Sequence, residues 1–455
     1  KDYIALNTLG LIYLQLNRIE EAEKLFLEII KDFPSYISTY NNLGRCYSLQ
    51  FKHEEALKYF KITLNKDPNY LDALNNIANY YNEVGSYKKA LEYYYKALNI
   101  DKDNNELLFN IGCSYAYLKE NKKAEKYYKK SFKLDPSNNK LNKNYAILLL
   151  SLQRYQEAWA IYDGRLDLDE FHSKNDTINN LKDKLWKGKT INEKEQVLVV
   201  KEQGIGDEIL HASMYSDLFK KFPNIKIESD KRLISIFERS FNKTNIFVPY
   251  NTYSLKKESL KKFNTIMYAG SLGRLFRNSI KDFPQTKYLE SDKKIDLVIK
   301  NKLKDLKNFK IGISWISKRE RYGKDKSINL NLLKPILKLQ KYSFINLQYG
   351  DTKDELQDFE KNERIKIHAI QDIDLFNDFE SIASLLKNLD LLISVSNSTA
   401  HVAAALGVPT WIIKPKNHAT FHYWNQPKNT TPWYPSVKLY SYFDGWKKTI
   451  EMVKN

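Results

Sequence analysis

Residues 8–34 read TLGLIYLQLNRIEEAEKLFLEIIKDFP, and residues 42–68 read NLGRCYSLQFKHEEALKYFKITLNKDP. Laid over each other with a shift of 34, Gly10 meets Gly44, Tyr13 meets Tyr47, Ala22 meets Ala56, Phe26 meets Phe60 and Pro34 meets Pro68. The next shift reaches Ala78, Tyr81, Ala90 and Tyr94, with Lys102 at the proline position. A fourth copy has Gly112, Tyr115, Ala124, Tyr128 and Pro136, and a weaker fifth keeps Ala146, Ala158 and Tyr162. Small residues at two fixed places let a pair of helices approach closely, and the aromatics fill the space between them. The proline ends the second helix because it cannot continue the hydrogen-bond ladder. A unit of this size buries its apolar face only against its neighbours, so the copies are expected to stack into a superhelix with a concave face.

The spacing resembles the tetratricopeptide repeat, a helix–turn–helix unit of this length. That resemblance implies a surface for a protein partner over residues 1–165 and says nothing of which one.

Outside the repeats the composition is ordinary. The chain has 455 residues, 42% hydrophobic and 28% charged, enough for about three domains. It contains no apolar run near the length that spans a bilayer, so no transmembrane segment is expected. It begins at Lys1 inside the repeat pattern, which points to a longer protein. Cys46 and Cys113 occupy first helices of separate repeats and read as small buried residues of a reducing compartment; a cytoplasmic location is expected. The net charge of +18 accompanies a general richness in lysine, asparagine, isoleucine and tyrosine. No basic cluster interleaved with aromatics stands out, so nucleic acid is not expected as a partner.

The texture changes after residue 165. Residues 166–194 form a polar connector. Then Val197-Leu198-Val199-Val200 has the β-branched character of a buried parallel strand. An amphipathic helix is expected from Glu208 to Phe222, a strand at Ile225–Glu228, a helix near Leu233–Phe241 and a strand at Ile246–Pro249. The alternation restarts at Lys310–Trp315. It continues with a helix at Leu330–Leu339, a strand at Ser343–Leu347, a helix near Phe379–Asn388 and a strand at Leu391–Ser394. A short helix over Ser398–Leu406 and a strand at Thr410–Ile413 follow. Two doubly wound α/β domains are expected, over 195–305 and 306–455, with a cleft between them and a terminal helix near Trp446–Val453 packing back across it.

Two turns in this half carry candidate chemistry. In Gly204-Ile205-Gly206-Asp207 the glycines permit a tight turn between strand and helix, and the helix amides face whatever binds there. Asp207 reads equally as an N-cap or as a general base, with His211 one turn later on the same face. No third glycine follows, so a dinucleotide site is not read here. The second turn is Ser394-Val395-Ser396-Asn397-Ser398-Thr399-Ala400-His401. Its polar groups begin a short helix just after a buried strand, a place suited to holding a diphosphate. An ordinary capped helix with a core histidine is the plainer alternative. A basic loop, Arg319–Lys326, is suited to clamping phosphate, or is simply solvated. His418 and His422 lack a carboxylate partner and are discounted as a zinc site. Asp167/Asp169 and Asp372/Asp374 do not follow strands, as a metal-dependent sugar-transfer site would require.

Ten short blocks occur in the order seen in bacterial tetratricopeptide-repeat glycosyltransferases whose catalytic half is similar to the heptosyltransferases (glycosyltransferase family 9-like). They are Glu157-Ala158-Trp159 through Tyr162 and Arg165; Trp186 with Gly188; Glu202-Gln203-Gly204 with Gly206-Asp207; Arg232-Leu233 with Phe237–Phe241; and Gly270–Gly273 with Phe276-Arg277. Gly312 with Ser314-Trp315, Lys326-Ser327-Ile328, Leu389-Asp390-Leu391, Ala400-His401 with Ala405-Leu406-Gly407 and Pro409, and Trp433-Tyr434-Pro435 complete the series. The resemblance covers the chain from the repeats to the terminus. It implies a GT-B fold, two Rossmann-like domains with a nucleotide-sugar donor in the cleft, and no metal or cofactor. It implies Asp207 as the base that deprotonates a glycan or protein acceptor, with His211 on the acceptor side. It implies Gly204, Gly206, Ser314, Lys326, Gln348, Asp351, Ser396, Asn397, Ser398, Thr399 and His401 around the donor. Many relatives carry aspartate then threonine where this chain has Ser396-Asn397. That departure leaves open a non-catalytic scaffold in which the α/β half is a degenerate remnant.

Overall fold

The computed structural model describes residues 2–168, 178, 181, 183–318, 323–414, 421–441 and 446–454. The chain divides into two compact units, Lys1–Tyr145 and Ala146–Asn455.

The first unit is a run of helix pairs. These are α1 (Tyr3–Gln15) with α2 (Ile19–Asp32), α3 (Ile37–Leu49) with α4 (His53–Lys66), α5 (Leu71–Glu83) with α6 (Tyr87–Ile100), and α7 (Asn105–Tyr117) with α8 (Asn121–Leu134). The glycines are there for closeness. A methyl group on Gly10 would stand 2.6 Å or less from two carbons of the Phe26 ring, and Gly44 and Gly112 meet Phe60 and Tyr128 in the same way. Ala22, Ala90 and Ala124 are wholly buried. The third second-helix, α6, stops at Ile100 although Lys102 replaces the proline; Asp101 is already extended there. The proline reinforces a stop that the helix–helix packing sets. Between the two helices of each copy stand Asn17, Phe51, Gly85, Lys119 and Gln153, each with a positive φ between 59° and 77°. Their spacing is again 34. Carboxamides tie neighbouring copies together: Asn42 donates to Asn7 and Asn76 to Asn41, both at 3.0 Å.

Helices α9 (Asn139–Ser151) and α10 (Tyr155–Tyr162) form the fifth copy, and most of it belongs to the second unit. There the Trp159 indole donates to the carbonyl of Arg277 at 2.7 Å.

The rest of the second unit holds two parallel sheets. The first comprises β1 (Val197–Val200), β2 (Ile225–Ser229), β3 (Phe247–Pro249) and β4 (Thr265–Tyr268) in the order β3-β2-β1-β4. The second comprises β5 (Phe309–Ser314), β6 (Tyr342–Asn346), β7 (Leu391–Val395), β8 (Thr410–Ile413) and β9 (Val437–Tyr440) in the order β6-β5-β7-β8-β9. Every pairing is parallel, and β1 and β7 are buried along their whole length. Parallel strands covered on both faces explain the unbroken apolar runs.

Several elements depart from the sequence expectation. The helix expected over 208–222 is two helices, α11 (Ile205–Ala212) and α12 (Tyr215–Lys221), because Arg277 takes the carbonyl of Ser213 at the break. Strands β4 and β9 were not foreseen. The stretch expected as a helix at 330–339 is a 3-10 turn, Leu330–Leu333, followed by one turn of α-helix, Lys334–Leu337, which Pro335 enters near its first position. After α13 (Ile234–Phe241), helix α14 (Lys293–Lys302) already packs on α16 (Phe379–Lys387) of the second sheet's half, which also carries α15 (Lys353–Glu363). The chain therefore crosses between the halves before residue 293; Tyr288 and Leu289 both donate to the carbonyl of Ala405, at 3.1 Å each. Helix α17 (Ser398–Ala405) follows β7. The terminal helix α18 (Trp446–Lys454) packs on the second sheet. Its Ile450 and Val453 lie in the core of the second sheet, with Ile313, Leu333 and Tyr440.

Candidate functional site

The first turn is built at the point where the chain leaves β1 on one side of the sheet and β4 on the other, which is where open α/β sheets bind ligands. Glu202 follows β1 and lies inside the protein. The Gly270 amide, just past β4, donates to it at 3.2 Å, so the two strand ends are tied across the switch point. Arg165, from the end of the fifth repeat, meets the same carboxylate with two nitrogens, at 3.1 and 2.9 Å. Arg165 also reaches Asp163 and Ser271, at 2.9 and 3.0 Å. Burial works to raise the Glu202 carboxyl, but the guanidinium outweighs it and holds the group below the usual carboxylate range. A buried charge is tolerated when it is paired and hydrogen-bonded in this way.

Asp207 sits in the first turn of α11 and is 7% exposed. It does not cap that helix, whose N-cap is Gly204. Its Oδ1 accepts from the hydroxyl of Tyr423 at 3.2 Å. The Gln203 amide, turned so that it donates, is 3.1 Å from Oδ2. His211 is buried one turn on, and burial is the main reason its imidazole is pushed below its ordinary range.

The second turn repeats the design at the second sheet's switch point, between β5 and β7. Asn397 caps α17 by accepting from the amide of Ala400 at 3.1 Å. Its amide donates to Ser314, at the end of β5, at 2.7 Å. Ser314 in turn donates to the Gln348 oxygen at 3.1 Å. That oxygen also takes the amides of Trp315 and Ile316, at 2.8 and 2.7 Å, and the Gln348 amide donates to the carbonyl of Tyr349 at 3.0 Å. Ser396 accepts from the Trp424 indole at 3.1 Å. Ser398 is half-buried and Thr399 buried in the first turn of α17. Asp351 is exposed, and it accepts from the amide of Lys353 at the start of α15.

The two turns meet. The His401 ring lies against Gly206 so closely that a methyl group there would stand 2.7 Å from Cδ2, which explains why this position is glycine. His401 Nδ1 hydrogen-bonds the Tyr434 hydroxyl at 2.7 Å. Tyr423, Trp424 and Tyr434 enclose the ring, with centroids 5.2, 5.0 and 5.6 Å away. Burial first, then Lys326 and His211, push His401 down to about 3, so its imidazole is neutral. His422 is held down to about 3 by burial and His211. The Lys326 ammonium stands 4.1 Å above the Phe421 ring, itself stacked on Tyr423 at 5.3 Å.

The sequence candidates Gly204, Gly206, Asp207, His211, Lys326 and His401 are thus gathered around one place. Ser314, Gln348, Ser396 and Asn397 lie beside it and bond to other protein groups, and Asp351 faces solvent. Arg319–Tyr322 of the basic loop, Asp169 and His418 lie outside the described residues. Asp167 pairs with Lys187, while Asp372 pairs with Lys302 and Asp374 accepts from the amides of Phe376 and Asn377, so these acids serve surface turns. Among the described residues no cluster of three or more metal-ligating side chains occurs. The residues that sequence reasoning missed are Phe421, Tyr423 and Trp424. Their signal was the aromatic run Phe421-His422-Tyr423-Trp424 near the end of an otherwise polar stretch.

Comparison with known proteins bears on the repeats. Tetratricopeptide-repeat family profiles match residues 3–66, 69–137 and 109–171. Protein FlbA of Caulobacter vibrioides is 26% identical over 321 residues, 67% of this chain and 52% of FlbA. The chain therefore spans about half the length of that curated relative. Among solved structures, a thermophilic TPR protein of Thermus thermophilus is 23% identical, with a TM-score of 0.34, covering 38% of this chain and 94% of that one. A tetratricopeptide repeat protein of Parabacteroides merdae is 24% identical, with a TM-score of 0.31, covering 39% and 76%. The N-terminal region is a tetratricopeptide-repeat array, a kind of surface that holds protein partners, and an α/β region follows it. Among the described residues no helix is long and apolar enough to cross a membrane.

Proposed function

We propose that this chain is a glycosyltransferase of GT-B architecture, moving a sugar from a nucleotide-sugar donor to a saccharide or protein acceptor, with the repeats holding the acceptor or a partner protein. The observation that carries the reading is the buried Asp207 carboxylate at the end of β1, set beside the helix that begins at the end of β7. Two parallel sheets thus turn their switch points toward one place, with a carboxylate on one side and a helix N-terminus and a lysine on the other.

In this reading Asp207 takes the proton of the acceptor hydroxyl. The freed oxygen forms a bond to the anomeric carbon from the face opposite the donor diphosphate. The carbon–oxygen bond to the diphosphate breaks, and the nucleoside diphosphate leaves with the electron pair, so the configuration inverts. Lys326 and the amides at the start of α17 meet the charge that develops on the leaving group, which supplies the electrostatic stabilisation without a metal. His401, neutral and lodged against Gly206, shapes the wall between donor and acceptor. The reading carries a cytoplasmic location with it.

A second reading is a protein-binding scaffold whose α/β half no longer turns over. The observation in its favour is that Asn397 donates to Ser314, Ser314 donates to Gln348, and Ser396 is taken by Trp424. Thermal unfolding against a panel of nucleoside diphosphates and nucleotide sugars separates the two. A true donor at a hundredfold excess over its dissociation constant adds about 2.7 kcal/mol. With that donor in hand, Asp207→Asn is expected to lower transfer about 100- to 10,000-fold while keeping the midpoint shift. Undiminished transfer would remove Asp207 as the base, and no shift with any nucleotide would leave the scaffold.

A further inference from the structure

The Phe421–Trp424 segment bears directly on Asp207. Tyr423 is 4% exposed, and its hydroxyl is 3.2 Å from Asp207 Oδ1. Its ring is fixed on every side. Phe421 stacks parallel to it at 5.3 Å with an interplanar angle of 8°, Trp424 meets it edge-on at 5.1 Å and His401 edge-on at 5.2 Å. Phe421 is in turn held under the Lys326 ammonium. From this clamped ring the hydroxyl donates a hydrogen bond to a carboxylate oxygen of Asp207.

We propose that Tyr423 is the positioning residue of Asp207: its hydroxyl holds the carboxylate in line to accept a proton from a sugar or side-chain hydroxyl. The proposal rests on the transferase reading for its purpose but not for its geometry. The physical reason is that a hydrogen bond to a charged acceptor is short and directional, so it fixes the direction in which the carboxylate points. Gln203 supplies a second donor on Oδ2. Among the described residues, His211 on its own helix, Tyr162 on α10 and Tyr434 after β8 interact electrostatically with Asp207, and Glu202, paired with Arg165, acts on His211. Glu202 is neutralised by Arg165, and His211 is pushed toward its neutral form by burial. Among the described residues, Tyr423 and Gln203 donate directly to the carboxylate. Lys326, on the far side of Phe421, gives the arrangement a second consequence. A group that binds near Lys326 and one that approaches Asp207 would both press on the same pair of stacked rings.

The test is Tyr423→Phe, which keeps the ring and removes the hydroxyl. With carbon-13 in the aspartate carboxyls, the Asp207 resonance is assigned by its loss in Asp207→Asn and followed at neutral pH in the full chain, with no substrate present. The expected result is a displaced Asp207 resonance in Tyr423→Phe, with an unchanged fold by circular dichroism. Phe421→Leu, which loosens the stack but leaves the hydroxyl, is expected to give a smaller displacement. With the donor found by the nucleotide panel, kcat is expected to fall about tenfold in Tyr423→Phe with the KM for the donor unchanged. An Asp207 resonance that does not move in Tyr423→Phe overturns the proposal. If the resonance moves but the native chain transfers no sugar from any donor, the hydrogen bond stands and it is the transferase reading that fails.

Discussion

His401 and His422 titrate near 3 instead of 6.5 because burial disfavours their charged forms. An imidazole depressed in this way stabilises the fold fully above pH 6.5, and that contribution is lost as the pH falls toward 3. Each group contributes a slope of up to about 1.4 kcal/mol per pH unit. The melting midpoint of the α/β unit is therefore expected to fall as the pH is lowered from 6.5 to 4, and less steeply in His401→Gln. An identical slope in that variant would mean that the acid sensitivity lies elsewhere. His401 also shows the limit of reading residues singly. Its place after a strand was visible in the sequence; its contact with Gly206, almost two hundred residues earlier, was not. Glycine at 206 reads as turn chemistry in the sequence and as room for a ring in three dimensions. In the same way Gln348, read as a group facing a donor, holds together the loop after β5.

The repeat helices were legible because their signal is redundant: several positions recur in phase, and a lapse such as Lys102 for proline does not move the helix end. The left-handed residue between paired helices also recurs, and only the third copy fills it with glycine. Phe51 adopts φ 60° while 81% exposed, so the site bears a backbone cost with little packing in return. Phe51→Gly is expected to stabilise the array by about 0.5 kcal/mol, the relief of left-handed strain less the added freedom of the unfolded chain. Equilibrium denaturation checks this, and a loss of stability would show that the ring packs. The α/β helices were less legible. The break between α11 and α12 follows from Arg277 reaching the Ser213 carbonyl, a contact that no local pattern announces. Strands β4 and β9 are no shorter than β1 and β8; they escape a reading by pattern because Thr265-Ile266-Met267-Tyr268 and Val437-Lys438-Leu439-Tyr440 lack a run of β-branched aliphatics.

Over the whole molecule the division falls inside the fifth copy, at Tyr145/Ala146. Calorimetry is expected to resolve two unfolding events, one for the repeats and one for the α/β unit, with a bound nucleotide raising only the second. A single transition that moves as a block would refute that independence. The contacts of α10 and of the 3-10 turn after it (Asp163–Asp167) explain why the fifth copy is the weakest in sequence. Trp159 and Arg165 answer to Arg277 and Glu202, so those positions are released from the repeat pattern and bound to the needs of the α/β half. The sequence by itself determined the repeat array, the alternation of strand and helix after it, and the two turns where polar residues follow buried strands, because each of these is written in near neighbours at a fixed period. Only the tertiary structure decided that the two turns face one another, that Glu202 is bound by a repeat residue and that Tyr423 ends on Asp207. Those are contacts between residues far apart in the chain, made when apolar faces pack and buried polar groups must find partners, and no local spacing encodes which partner each one finds.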